Sequence, residues 1–404
     1  MIDKDFIAKL KTPEAMMIYN VITKYNGELR FIGGAVRDAI LGIDFSDLDL
    51  ATNLMPDMVL NILTNESIHV VPTGLKHGTV TAVINEKNIE ITTLREDVTC
   101  DGRHAQVSFT DSWEIDATRR DFTINALSVD FDENIYDYHN GIEDLKNKVV
   151  KFIGNAHSRI EEDYLRILRF YRFVGKYGDC NFDPNTRLQC TTQIQNLKNI
   201  SIERIYIELD KISQHSSYQE VLLAMHKDKI LETALQNLDL NIDLFNKLCL
   251  VAKQLKTQPN LIVIIAALII NSGNMDCHIL QKRNDIKMLN MLVDFPFASY
   301  IDIEKSISRF HYMTGEYFNQ FFILLFAVNY NQVYAKLMDD LYHLYLTKQR
   351  KIFPLTGRDL LDVGFKTGTE IGELLKELEN IWIESNFTLG KLDLIESIYQ
   401  RKNV

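Results

Sequence analysis

Cysteine is sparse and scattered in this chain. Its five copies, Cys100, Cys180, Cys190, Cys249 and Cys277, show no C-x-x-C spacing. That argues against a disulfide framework and a thiolate zinc site, and makes a reducing cytoplasm the expected compartment. Long apolar runs are missing as well. The most hydrophobic stretch, Leu261 to Ile270, falls far short of the roughly 20 residues a membrane-crossing helix needs, and the opening M-I-D-K-D-F-I-A-K-L has no signal-peptide layout. No membrane partner is expected. Nor is positive charge in excess: 44 Lys and Arg against 55 Asp and Glu give a net charge of −11. Phosphate contacts normally come from Lys and Arg, so a nucleic-acid role has to rest on local groups of cations. Histidines in the C-terminal half occur singly, without the His-Asp pair of a metal-dependent phosphohydrolase.

What is present is a globular composition, 46% apolar and 25% charged over 404 residues, long enough for about two to four modules. The informative stretch is Phe31 to Thr52, F-I-G-G-A-V-R-D-A-I-L-G-I-D-F-S-D-L-D-L-A-T. An apolar run ends in Gly33-Gly34, a helix bearing Arg37 and Asp38 follows, and a short strand is expected to carry Asp47 and Asp49. Glycine lets backbone N–H groups approach a ligand, and a helix N-terminus favours an anion. Two carboxylates two apart on a strand point to one face and repel, which a cation between them relieves. Mg²⁺ commonly sits between one or two carboxylates and substrate phosphates. Gly-Gly alone also fits a plain turn, and Asp-x-Asp alone a solvated strand edge; their succession within one compact unit favours chemistry.

G-G-A-V-R-D followed by D-L-D resembles the signature of the polymerase-β-like nucleotidyltransferases, in particular the class II branch of tRNA nucleotidyltransferases and bacterial poly(A) polymerases. The resemblance implies that Asp47 and Asp49 are catalytic and hold Mg²⁺, in a site of two metals, and that Gly34 and Arg37 contact the nucleotide.

Around that stretch, helices at Ala15 to Ile22 and Pro56 to Leu63 and strands at Ile68 to Val71, Thr79 to Ile84 and Ile89 to Leu94 suggest an α+β head. The turn P-T-G-L-K-H-G-T-V between them reads as a hairpin connection or a substrate contact. Glu90 is a candidate third acidic group. Arg95 to Phe109 is polar and without clear periodicity, a long loop of the kind that is often functional; in the resembling family it is a flexible loop that helps the site pass from C to A, and its presence favours full CCA addition. In D-A-T-R-R-D-F-T-I-N-A-L-S the two arginines precede an apolar stripe, which predicts an amphipathic helix beginning there. The resemblance makes Arg120, or its neighbour Arg119, a ribose and phosphate contact. It also makes D-Y-H-N-G-I-E-D-L, Asp137 to Leu145, a connector with a hinge role.

Arg159 to Val174, R-I-E-E-D-Y-L-R-I-L-R-F-Y-R-F-V, is free of Gly and Pro and reads as one helix. Asp163, Arg166, Arg169 and Arg172 recur every three positions, each step lagging by about 60°, so the arginines line one side and Ile167, Leu168, Phe170, Tyr171 and Val174 the other. A surface helix with an Asp163–Arg166 ion pair is the plain alternative. E-D-Y-L-R resembles the family's E-D-x-x-R motif, in which protein acts as template: a carboxylate accepts from the exocyclic amino group of C or A and a guanidinium donates to the adjacent ring nitrogen. U and G present the opposite order, and each unpaired buried contact costs about 1–3 kcal/mol. Arg169 and Arg172 match further nucleotide contacts, reaching the triphosphate or bracing Asp163.

From Ser201 onward the pattern is helical, with runs at Tyr218 to Met225, Leu244 to Leu255 and Leu261 to Ile270 and a turn at Ser272-Gly273-Asn274. The aromatic segment Phe310 to Tyr330 reads as core rather than a stacking platform. Phe353 to Leu361 and Gly368 to Trp382 resemble the family's tail, whose glycine-initiated helices are suited to an RNA phosphate. The expected organisation is therefore an α+β nucleotidyltransferase head (1–147), then an all-α neck for nucleotide selection (148–214), body (215–345) and tRNA-binding tail (346–404). The expected activity is template-independent addition of CCA to the tRNA 3′ end from CTP and ATP, releasing pyrophosphate. Rivals are a poly(A) polymerase, an enzyme adding only CC or only A, and an inactive RNA-binding scaffold. The acidic balance and the lack of a basic C-terminal extension speak against the first, and the intact aspartates against the last.

Overall fold

The computed structural model describes residues 4–100, 105–271, 279–294, 308–309, 311–312, 314–330, 342, 351–365 and 369–402. They form two compact units, one of residues 1–238 with 277–280 and the other of residues 239–276 with 281–404. The class is the expected one, a mixed sheet in the N-terminal part followed by helices.

In the first unit, helix α1 (Lys4–Ala8) precedes α2 (Pro13–Lys24), which starts where the Thr12 hydroxyl accepts from the Ala15 N–H and proline takes the first helical position. Ala15, Ile18 and Ile22 form its buried stripe. Then come β1 (Leu29–Ile32), α3 (Gly34–Ile40), β2 (Asp49–Thr52), α4 (Pro56–Asn65), β3 (His69–Gly74), β4 (Thr79–Ile84) and β5 (Lys87–Thr93). After β6 (Arg95–Cys100), β7 (Ala105–Phe109) and α5 (Trp113–Thr118), β8 (Ser128–Asp130) and β9 (Ile135–Tyr136) complete the sheet. Its order is β3-β4-β5-β2-β1-β8-β9. All pairings are antiparallel except β2 with β5, which run parallel and set Asp49 level with Glu90. On the other side of β2, antiparallel β1 sets Ile32 opposite Asp49, so the Gly33 turn opens beside that carboxylate.

Three local expectations are corrected. Arg95 to Phe109 is not an irregular loop: β6 and β7 pair as a two-stranded antiparallel sheet whose register shifts between Asp97 and Thr99. That irregularity breaks the period-two alternation by which a strand is recognised; residues 101–104 lie outside the described residues. Arg119 and Arg120 do not open a helix. They follow the end of α5, where cations suit the helix dipole, and Phe122, Ile124 and Leu127 are buried through a short 3₁₀ turn at Thr123–Asn125 instead. The Arg159–Val174 helix is broken. Helix α6 (Gly141–Lys146) is followed by α7 (Ala156–Glu162), then Asp163 in extended conformation (φ −156°, ψ 104°), then α8 (Leu165–Tyr177). The Asp163 carboxylate accepts from the Leu165 N–H, the first of α8, at 3.1 Å, the local competition by which an aspartate's side chain draws the backbone out of a helix.

On α8 the apolar side is as expected: Ile167, Leu168, Phe170, Tyr171 and Val174 are buried while the arginines lie on the opposite side. Helices α9 (Pro184–Thr192), α10 (Ile202–Ser213), α11 (Tyr218–Lys227) and α12 (Ile230–Ala234) complete the unit.

The second unit is helical among its described residues. Leu261–Ile269 is buried along its whole length and packs with helices Ile242–Gln254, Arg283–Val293 and Phe318–Val328. Phe321, Phe322 and Phe326 are core residues, whereas Phe310 and Ser272-Gly273-Asn274 lie outside the described residues. Leu355, Leu360, Leu378, Trp382 and Leu394 make a separate cluster. The helix at Gly357–Asp362 starts in a capping box between Thr356 and Asp359; Gly368 lies outside the described residues.

Candidate active site

A cavity of about 750 Å³ in the first unit gathers the sequence-predicted residues. Gly34, Arg37, Asp47 and Asp49 line it from the sheet side, Arg119 and Arg120 from the end of α5, and Asp163, Arg166, Arg169 and Arg172 from α8 and the residue before it. Glu90 does not line it.

Asp49 opens β2 and is half-buried; Asp47, expected on the same strand, instead lies two residues before it, outside any regular element, and is exposed. Burial, the negative charge of Glu90 across the parallel pairing, and Asp47 push the Asp49 carboxyl above its ordinary range, against the pull of Arg120. A cation at this position would remove that like-charge strain. Among the described residues no group of three His, Cys, Asp or Glu side chains is placed to hold a metal. Two carboxylates completed by substrate phosphates fit the way Mg²⁺ is ordinarily bound, so the residues present suit Mg²⁺ carried in with a nucleotide.

Gly33 makes the approach possible. Its φ of +76° and ψ of −144° suit only glycine, and a Cβ there would stand 3.2 Å from the Asp49 Oδ2.

Each arginine is pinned by a carboxylate. Arg37 is buried; its Nε donates to Asp38 at 2.9 Å and its Nη1 to the Asn125 side chain, and its guanidinium lies 4.2 Å from the Tyr177 ring centroid. Asp38 also accepts from the Tyr177 hydroxyl at 2.8 Å and faces Lys176 at 3.5 Å. Arg119 and Arg120 both hold Asp116. Arg166 donates to Glu162 at 2.5 Å and to the Arg159 carbonyl at 2.7 Å. Arg169 donates to Asp121 at 2.7 Å, and Arg172 to Glu208 at 2.6 Å. Burial alone would raise Asp121 and lower Arg169, but their mutual attraction outweighs it, holding Asp121 below the carboxylate range and Arg169 above its own. For Arg172 burial wins and lowers the guanidinium despite Glu208.

The Asp163–Arg166 ion pair, the plain alternative reading of this helix, does not form. Asp163 Oδ2 accepts from Arg204 of α10 at 2.6 Å, and Arg166 turns to Glu162. Both side chains keep capacity toward the cavity, since each carboxylate oxygen has two lone pairs and a guanidinium has five N–H groups. Sequence reading missed Asp38, Asp116, Asp121, Asn125, Glu162, Arg204 and Glu208. The signal was the acidic residue beside each arginine in V-R-D, R-R-D and I-E-E-D; Arg204 and Glu208 carried none, because only the packing of α10 on α8 brings them here.

Residues 29–151 match the family described as "Poly A polymerase head domain", and residues 180–241 that described as "Probable RNA and SrmB- binding site of polymerase A". The mitochondrial CCA tRNA nucleotidyltransferase 1 of Homo sapiens is 34% identical over 97% of this chain and 93% of its own length. The CCA-adding enzyme of Staphylococcus aureus (strain MRSA252) is 36% identical over 49% of each chain. The fold is similar to that of the Bacillus stearothermophilus CCA-adding enzyme solved with CTP, with a TM-score of 0.66 and 22% identity over 97% of this chain and 99% of that one. It is also similar to the Thermotoga maritima enzyme solved with tRNA, with a TM-score of 0.64 and 17% identity over 99% and 98%.

Proposed function

We infer the function from one premise: the chain belongs to the CCA-adding tRNA nucleotidyltransferases. It adds CCA to the 3′ end of tRNA from CTP and ATP without a nucleic-acid template. The observation that carries the site reading is that one cavity joins the Asp47–Asp49 pair, the Gly33-Gly34 turn and the Asp163–Arg166 edge, which lie far apart in sequence.

In this reading the tRNA 3′-hydroxyl attacks the α-phosphorus of CTP or ATP. The new O–P bond forms as the bond to the bridging oxygen breaks, the hydroxyl gives up its proton, and the electron pair leaves with pyrophosphate. Asp47 and Asp49 would hold Mg²⁺, which when bound favours the ionised hydroxyl and neutralises the triphosphate. Gly33 leaves room for the Asp49 carboxylate beside the turn. Gly34 and Arg37 border the phosphates, with Arg37 held in place by Asp38 and Asn125. Arg120 faces ribose and phosphate from the end of α5. Asp163 accepts from the exocyclic amino group of C or A and Arg166 donates to the ring nitrogen beside it, while Arg204 and Glu162 fix the two groups in position. U and G would set acceptor against acceptor and donor against donor.

Within this division of labour residues 1–147 make the bond, 148–214 choose the nucleotide, and the body (215–345) and tail (346–404) serve tRNA binding; the connector 137–145 carries the hinge role. The five scattered cysteines, without C-x-x-C spacing, suit a reducing compartment such as the cytoplasm, although the human relative is described as mitochondrial. Among the described residues no helix is long and apolar enough to cross a membrane.

The test is purified protein with Mg²⁺, tRNA lacking CCA, and each labelled nucleoside triphosphate singly and together. Two C, one A and then arrest is the expected outcome. Long A tails would assign the rival named by the head-domain match, and no incorporation would overturn the reading.

A further inference from the structure

Resting on the nucleotidyl-transfer reading, we propose that Lys211 receives the β- and γ-phosphates of the incoming nucleotide and then the departing pyrophosphate. Every arginine lining the cavity already faces a carboxylate, and Lys176 faces Asp38 at 3.5 Å. Their charge is largely spoken for before any substrate arrives. Lys211 also lines the cavity, is exposed, and has no hydrogen-bond or ion-pair partner among the described residues. Its ammonium is free to meet an anion without first breaking a resident pair.

Position along α10 says which part of the substrate it meets. Arg204, Glu208 and Lys211 stand at i, i+4 and i+7, on one face of the helix. Arg204 holds Asp163, and Glu208 holds Arg172. Ascending α10 therefore matches ascending α8, and Lys211 falls at the level beyond Arg172, away from the base-reading edge. Seven residues of helix separate Arg204 from Lys211, about 10 Å along the axis, a span comparable with that from the base of an extended nucleoside triphosphate to its terminal phosphates. A nucleotide read at Asp163 and Arg166 directs its phosphate tail along this face toward Lys211. The tRNA primer needs only to bring its 3′-hydroxyl to the α-phosphate near Asp47 and Asp49, at the sheet side of the cavity.

The test is equilibrium binding, with Mg²⁺, of CTP and of CMP (by displacement) to the full chain and to its Lys211→Gln and Lys211→Arg variants. Lys211→Gln is expected to weaken CTP about fivefold to tenfold, to leave CMP unchanged, and to be rescued by Lys211→Arg. Equal CTP binding by wild type and Lys211→Gln would overturn the proposal, as would equal weakening of CMP. A change confined to tRNA affinity would place the lysine on the primer backbone and overturn it too. Because binding needs no turnover, this result is distinct from the fate of the CCA-addition assay.

Discussion

Replacing Gly33 by alanine isolates the close approach of the glycine turn to the Asp49 carboxylate. At φ +76° and ψ −144° an L-residue is strained by about 1–3 kcal/mol. The new methyl group would stand 3.2 Å from the Asp49 Oδ2, closer than an ordinary contact, so the carboxylate has to retreat by a few tenths of an ångström. The strain is expected to lower the melting temperature by roughly 2–12 °C, at about 2–4 °C per kcal/mol for a unit of this size. The shifted carboxylate is expected to cut turnover about tenfold or more, since a misplacement near 1 Å costs on the order of a hundredfold, and to raise the Mg²⁺ concentration needed for half-maximal incorporation. Gly34→Ala is the control. Gly34 lacks the positive φ of its neighbour, and a Cβ there meets only the Arg37 Nη2 at 3.4 Å, so its thermal stability should stay near wild type. Scanning calorimetry and an Mg²⁺ titration of CTP incorporation read both effects. Wild-type stability in Gly33→Ala, or equal destabilisation in Gly34→Ala, would refute the argument.

Three other substitutions test the proposed division between residues that make the bond and residues that choose the nucleotide. Asp49 has its pKa raised by burial and by Glu90, so its ionised form costs the folded state stability above the ordinary carboxylate range and costs nothing once pH falls below it. Asp49→Asn should therefore abolish incorporation yet melt higher than wild type at neutral pH in EDTA, with the difference vanishing toward low pH; a lower melting point would contradict the electrostatics. Arg204→Ala removes the donor that holds the Asp163 Oδ2, and Asp163→Ala removes the acceptor altogether. Both should raise misincorporation of U and G relative to C, the second more than the first, in single-nucleotide extension assays. Unchanged selectivity in both would return this edge to a merely structural role.

The residues proposed to make the bond were legible because they are local. Gly33, Gly34, Arg37, Asp47 and Asp49 lie within 17 residues of one turn-helix-strand unit, so chain connectivity and the glycine turn are enough to bring them together, although Asp47 lies before the strand that was expected to carry it. The helix α8 was legible as a two-sided element because its apolar stripe follows the helical period. Its beginning was not: Asp163 lies in a run without Gly or Pro, and only its side-chain bond to the Leu165 N–H reveals that the backbone leaves the helix there. The partner of Asp163 was hidden for a different reason. The 3-residue spacing to Arg166 suggests an intrahelical pair, but Glu162 offers Arg166 the i,i+4 geometry and Arg204 reaches Asp163 from another helix. The β6–β7 strands were masked by a register shift, and the arginines after α5 were displaced by a 3₁₀ turn that buries Ile124 without a full helix.

The break before α8 has a mechanical consequence. Asp163 is tied forward, through its carbonyl to the Arg166 N–H at 3.0 Å and through its carboxylate to the Leu165 N–H. Nothing in helical geometry ties it rigidly to the turns of α7. The proposed base-reading pair is thus held from three sides: Asp163 by the start of α8 and by Arg204 of α10, and Arg166 by Glu162 and the Arg159 carbonyl of α7. A template made of nucleic acid changes its message by moving to the next base. A template made of protein has no next base, so in the proposed reading a change in what it admits has to come from a change in how these three ties hold the pair.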